Sequence, residues 1–130
     1  MKQLFLVFTF LLSTSVFADI EWKTYSDEAL AQAKSDGKKV VLGFHKKGCG
    51  TCHAQDSALD EAGITKAENV VYLKVQRKNS DHKKVYEQYG FSSRQWAAIV
   101  LLNKEGKEVA RVNPGVTSGK EISGLTKRAM

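Results

Sequence analysis

Val40-Val41-Leu42-Gly43-Phe44-His45-Lys46-Lys47-Gly48-Cys49-Gly50-Thr51-Cys52-His53 is the stretch on which the fold turns. Val40 to Phe44 is a short apolar run of strand length, and His45 to Gly48 is a polar loop. Two cysteines follow with two residues between them, where a helix is expected to begin and run from about Cys49 to Ala62. The chain has only 2 cysteines, and both lie in this tetrapeptide. A small domain stapled by disulfides spreads several along the chain. A bridge across two residues closes too small a loop to hold a fold, so the value of this pair is chemical rather than structural.

Working outward, Ser26-Asp27-Glu28 opens a helix, with a capping hydroxyl followed by acids that suit the positive end of the helix dipole. Ala29, Leu30 and Ala33 supply its apolar side, and Gly37 a stop. On the other side, Asn69 to Gln76 is rich in β-branched and aromatic residues and reads as a strand. Ser80-Asp81 is expected to cap a helix carrying Val85, Tyr86 and Tyr89, ended by Gly90. Ala98 to Leu102 and Lys107 to Val112 are strands joined by the hairpin turn Asn103-Lys104-Glu105-Gly106. After a turn at Asn113-Pro114-Gly115, Ser118 to Arg128 is a marginal last helix weakened by Gly124. Helices between the early strands imply a parallel pair, and the late tight hairpin an antiparallel one. The expectation is an α/β domain: a small mixed sheet with helices on both faces.

Residues 1–18 stand apart. Lys2, the apolar run Leu4 to Leu12, a polar Ser13-Thr14-Ser15 shoulder and Val16-Phe17-Ala18 have the form of a secretory signal cut after Ala18. The apolar run is too short as a helix to span a bilayer, so no stable membrane insertion is expected after cleavage, and a periplasmic or secreted location is. Residues 19–130 form one domain, expected to be monomeric. The formal net charge is +6, but Lys and Arg are interspersed with Asp and Glu rather than clustered. That pattern predicts a solvated basic surface and no nucleic-acid partner.

A CxxC at a strand-to-helix junction followed by βαββα resembles the thioredoxin superfamily over nearly the whole of residues 19–130. Trp22, the Glu28-Ala29-Leu30 helix, the Gly37-Lys38-Lys39-Val40 approach and the Asn103–Val109 hairpin resemble secreted, periplasm-type thioredoxin-like domains. The resemblance implies a thioredoxin-like fold and a thiol–disulfide oxidoreductase without cofactor, acting on protein thiols and disulfides and served by a redox partner protein. Exchange needs one thiolate to attack and a second thiol to release the mixed disulfide. Cys49, at the helix start, is the expected nucleophile, and Cys52 the resolving thiol. Lys46, Lys47 and His53 add positive or ionisable charge nearby.

Two family features are missing. The buried acid of the strand before the CxxC is replaced by Gly43, and the cis-proline before the hairpin strand by Ala97, after Trp96. A cis bond before a non-proline residue costs about 2.5–4 kcal/mol, so Trp96–Ala97 is expected to be trans. Family members pair backbone with substrate there, which makes Trp96 and Ala97 the expected substrate contacts. Asp56, one helical turn after Cys52, is expected to replace the missing acid as a catalytic proton acceptor. His45 stands where thioredoxins often carry an aromatic residue and is expected to pack.

Other readings of the same residues stay open. A thioredoxin-fold binding module could hold an idle disulfide. Cys49-Gly50-Thr51-Cys52-His53 also has the spacing of a c-type haem attachment. His45, Cys49, Cys52 and His53 are ligand types that suit zinc, at a compressed spacing. On the bland reading, His53 and His82 are exposed helix residues.

Overall fold

The computed structural model describes residues 20–63, 69–76, 78–92 and 95–129. The signal-like segment and its cut after Ala18 lie outside the described residues. In chain order the elements are β1 (Lys23–Thr24), α1 (Asp27–Ser35), β2 (Lys39–His45), α2 (Gly50–Glu61), β3 (Val70–Gln76), a 3-10 turn (Ser80–His82) leading into α3 (Lys83–Gln88), β4 (Ala98–Leu102), β5 (Glu108–Val112) and α4 (Gly119–Ala129). The sheet runs β1-β3-β2-β4-β5. β3 pairs in parallel with β1 and β2, while β4 is antiparallel to β2 and to β5. The α/β reading with a mixed sheet therefore holds, and β2, which leads into the CxxC, is its central strand.

Alternation along β2 divides the core. Val40, Leu42 and Phe44 pack with Ala33 of α1 and Val85 and Tyr86 of α3. Val41 packs on the opposite face with Ala58 and Leu59 of α2 and Ile122 of α4. Burying both faces explains why β2 reads as a continuous apolar run rather than an alternating one. Gly43 and His45 lie on the α2 side of the same strand, in period with Val41.

Local chemistry sets the ends. Ser26 Oγ accepts the Ala29 N–H at 3.0 Å and caps α1, and Gly37 leaves it at φ +66°. The β4–β5 turn closes because Asn103 Oδ1 accepts from the N–H groups of Glu105 (3.1 Å) and Lys107 (2.9 Å), with Gly106 at φ +80°. The marginal α4 forms because Ile122 is fully buried; burial of such a side chain contributes about 1.5–3 kcal/mol, more than one glycine costs.

The structure adds one strand and corrects two expectations. β1 has no signal in the sequence: its two exposed polar residues are held by pairing with Leu73 and Lys74. The cap before α3 is Asn79, whose Oδ1 accepts the Asp81 N–H at 3.0 Å, rather than Ser80-Asp81. His82 is not exposed but 2% accessible. Its Nδ1 accepts the Gln76 N–H at 2.9 Å, which leaves Nε2–H to donate to the Tyr25 carbonyl at 3.0 Å. That imidazole ties the end of β3 to the residues that enter α1.

Candidate active site

β2 ends at His45, the chain turns through Gly48 at φ +72°, and Cys49 becomes the N-cap of α2. Its Sγ accepts the Cys52 N–H at 3.1 Å. The two sulfurs form a disulfide with Cα atoms 5.3 Å apart. Cys49 therefore sits where unpaired helix N–H groups favour a negative sulfur once the bond is reduced. In the disulfide form both residues are largely covered, Cys49 at 8% and Cys52 at 4% exposure.

The cover is the loop between α3 and β4. Ala97 packs directly on the cysteine pair and Trp96 lies against it. Lys46 Nζ stands 4.3 Å from the Trp96 ring centroid, a cation–π contact at the mouth of the site. Trp96–Ala97 is trans, and Ala97 adopts φ +59°, a left-handed conformation that costs a non-glycine residue about 1–2 kcal/mol. The conformation is held by three hydrogen bonds. Ala97 N–H donates to the Phe44 carbonyl at 2.9 Å, and its own carbonyl accepts from Gly115 N–H at 3.1 Å and from Gln55 Nε2. Gln55, fully buried on α2, also donates to the Val116 carbonyl at 2.8 Å. The helix that carries the cysteines thereby fastens the loop that covers them. Proline could not serve at position 97 in this geometry, because the N–H is used and φ is positive.

Four of the five expected site residues, Cys49, Cys52, Trp96 and Ala97, thus come together. Asp56 belongs to a second cluster. Its Oδ1 lies 3.4 Å from His45 Nε2, within ion-pair range but not aligned as a hydrogen bond. Trp22 lies against His45, its ring meeting the His45 ring edge-on with centroids 4.7 Å apart and Tyr72 at 5.6 Å. Trp22 also explains Gly43. A Cβ there would stand 2.5 Å from Trp22 Cη2, 2.7 Å from Cζ3 and 3.0 Å from His45 Nε2. The space of the family's strand acid is filled by an indole and an imidazole. His45 does pack, as expected, but it also faces a carboxylate.

Of the residues of the metal reading, His53 is exposed and His45 is buried, and Cys49 and Cys52 are bonded to each other. The haem reading suits a mostly helical chain, whereas this one is built on a five-stranded mixed sheet.

Comparison with known proteins agrees with the geometry. The sequence profile of a family described as thioredoxin-like matches residues 21–103. The chain belongs to the thioredoxin-like family. Among solved structures, this thioredoxin-like chain is similar to Trxlp from Edwardsiella tarda, at 25% identity and a TM-score of 0.64, over 80% of this chain and 96% of that one. A thioredoxin from Thermus thermophilus shares the fold at 22% identity and a TM-score of 0.62, over 85% and 87% of the two chains. The thioredoxin of Schistosoma mansoni does so at 15% identity and 0.62, over 88% and 98%. No curated protein sequence matches the chain significantly.

In this thioredoxin-like frame, the cysteine pair at the head of α2 supports thiol–disulfide oxidoreductase chemistry. Sequence reasoning missed Gln55, the His45–Asp56 contact and the Trp22 wedge. The signals were present only in part: Gln55 shares a helix face with Cys52 at a spacing of three, and His45 shares a strand face with Gly43 at a spacing of two.

Proposed function

We propose that the protein is an exported thiol–disulfide oxidoreductase that exchanges disulfides with protein substrates through Cys49 and Cys52. The observation that carries this reading is the disulfide at the N-cap of α2 beneath the Trp96–Ala97 loop. Cys49 attacks as a thiolate, favoured by the helix N-terminus. Cys52 then attacks Cys49 Sγ and releases the substrate thiol. Asp56 assists by accepting the Cys52 proton, and Trp96 meets the substrate. The fully buried Ala97, whose N–H and carbonyl are both bonded within the chain, shapes the loop that presents Trp96. Export is supported by the signal-like Met1 to Ala18 segment, and no helix among the described residues is long and apolar enough to cross a membrane. A redox partner protein returns the pair to its working state.

Insulin turnover with a thiol donor tests the reading, with Cys49→Ser as control. Wild-type protein should turn over many times and the variant should not. The low exposure of Cys49 favours one other reading, a binding module with an idle disulfide; wild-type protein that does not exceed the Cys49→Ser control would select it. The reduction potential then assigns direction: about −270 mV suits a reductant and about −120 mV an oxidant.

A further inference from the structure

We propose that His45 and Asp56 act as one proton-holding pair for the resolving step at Cys52, with His45 Nε2 standing in for the strand acid that position 43 cannot carry. The proposal rests on the oxidoreductase reading and deepens it by naming the group that Asp56 works with.

Four observations meet at one place. His45 Nε2 lies 3.0 Å from the point where a side chain on Gly43 would begin. Asp56 Oδ1 lies 3.4 Å from that same nitrogen. Cys52 and Asp56 are four apart on α2, so they share a face about 6 Å apart along the axis. Finally, His45 Nε2 and Asp56 Oδ1 are each buried without a hydrogen-bond partner, although such atoms in a folded core almost always have one. With the resting imidazole's proton on Nδ1, Nε2 and Oδ1 are two acceptors facing each other in a covered site, and they repel. One proton on Nε2 turns the contact into a charge-assisted bond after a closure of about half an ångström. The geometry therefore suits one proton shared between Nε2 and Oδ1.

The step balances as follows. With the substrate bound to Cys49 as a mixed disulfide, the Cys52 S–H gives its proton to the pair, where it rests between Nε2 and Oδ1. Cys52 Sγ attacks Cys49 Sγ, the Cys49–Cys52 bond forms, and the bond from Cys49 to the substrate sulfur breaks. The substrate sulfur leaves with the electron pair and is protonated from solvent. Two electrons have passed from the cysteine pair to the substrate disulfide, and the pair later releases its proton to solvent. His45 acts on Cys52 through Asp56, which stands one helix turn beyond Cys52, so it is a positioning and proton-holding residue.

Other charged groups share the surroundings. On α2 these are Asp60, one turn beyond Asp56, and the exposed His53 beside Cys52. On β3, Lys74 is in register with Gly43, and Tyr72 contacts Trp22. Glu21 and Lys23 flank Trp22, and Lys46 and Lys47 follow His45; all four are exposed. β4 presents Ile99 opposite Gly43 and contributes no charge there.

The test follows mixed-disulfide formation and release separately by stopped flow, from about pH 5 to about pH 9. Reduced full-length protein reacts with a dithiodipyridine, which releases one coloured thiol in each step. The variants are His45→Phe, which keeps a ring against Trp22, Asp56→Asn, and the double variant. First-step rates should be unchanged. Release should slow on the order of 100-fold in each single variant, with loss of the same inflection from the pH profile. The double variant should be no slower than the slower single one. Release by His45→Phe at the wild-type rate with the wild-type profile overturns the proposal. If Asp56→Asn alone is slow, Asp56 works without His45. If wild-type protein itself completes no second step, the oxidoreductase reading falls too, and the proposal with it. Should His45→Phe fail to fold, the imidazole resonances of wild-type His45 decide. Their titration should differ between oxidised and reduced protein, and identical titrations would refute the proposal.

Discussion

Placing a single methyl group on Gly43 tests whether Trp22 is the reason this strand carries no side chain there. In Gly43→Ala the new Cβ meets the six-membered ring of Trp22 at 2.5 and 2.7 Å, where contact distance is about 3.5–4.0 Å. The indole must retreat by about 1 Å. It is half-buried and holds edge-on contacts with His45 and Tyr72, so retreat weakens two ring pairs worth about 0.5–1.5 kcal/mol each. Overpacking of this kind costs about 1–3 kcal/mol. Against it, alanine restricts the unfolded chain and recovers about 0.4–1 kcal/mol. The net expectation is a loss of about 1–2 kcal/mol, or about 4–9 °C in Tm for a domain of this size. Calorimetry and urea titration of oxidised protein measure it. The same substitution in a Trp22→Leu background should cost little, giving a coupling energy of about 1 kcal/mol in the double-mutant cycle. A Gly43→Ala protein as stable as wild type, or a cycle with no coupling, would refute the wedge.

Other expectations concern the loop and the core. Ala97→Pro should not regularise the site: it removes the N–H bonded to Phe44 and demands a negative φ, so it should destabilise by about 3 kcal/mol or more, and a raised Tm would contradict the loop geometry. Gln55→Leu leaves the Val116 carbonyl without its partner and weakens the hold on Ala97; about 1–3 kcal/mol should be lost, with faster alkylation of Cys49 in reduced protein as the loop loosens. Burial pushes Tyr25 up to about 12, helped by its hydrogen bond to Asp27, and burial with nearby Asp60 pushes Tyr72 up to about 12. Both are raised above the unfolded value of 10.0, so the stability they contribute is complete below pH 10 and is lost as pH rises toward about 12. Phenolate absorbance and unfolding should rise together in that window; phenolate formation by Tyr25 and Tyr72 near pH 10 in folded protein would contradict it.

Much of the fold was legible because its strongest signals are local. β2 is apolar on both sides, so its centrality could be read from Val40 to Phe44, and the Asn103 to Gly106 turn carries its own closing hydrogen bonds. β1 was illegible because Lys23 and Thr24 have no apolar face and owe their conformation to a partner strand some 50 residues away. His82 was misread because its two ring hydrogen bonds reach Gln76 and Tyr25, one of them far off in sequence.

The site divides the same way. The order of residues placed Cys49 and Cys52 at the helix start, and the hairpin placed Ala97 opposite them. Strand alternation puts Gly43 and His45 on one face, and helix periodicity puts Cys52 and Asp56 on another. Only packing shows that these two faces meet, at the His45–Asp56 contact, with Trp22 packed over Gly43. Likewise Gln55 could be seen to share a face with Cys52, but not that its amide spans to Val116, a contact 61 residues distant.

The most direct measurement of the central claim is trapping. Without Cys52 an attack by Cys49 cannot be resolved, so Cys52→Ser incubated with a disulfide-bonded protein such as insulin should accumulate a covalent adduct. Mass spectrometry should locate it on Cys49 and show its release by dithiothreitol, while wild-type protein under the same conditions holds little. Cys52→Ser protein that remains folded yet forms no adduct at Cys49 would contradict a catalytic role for the pair.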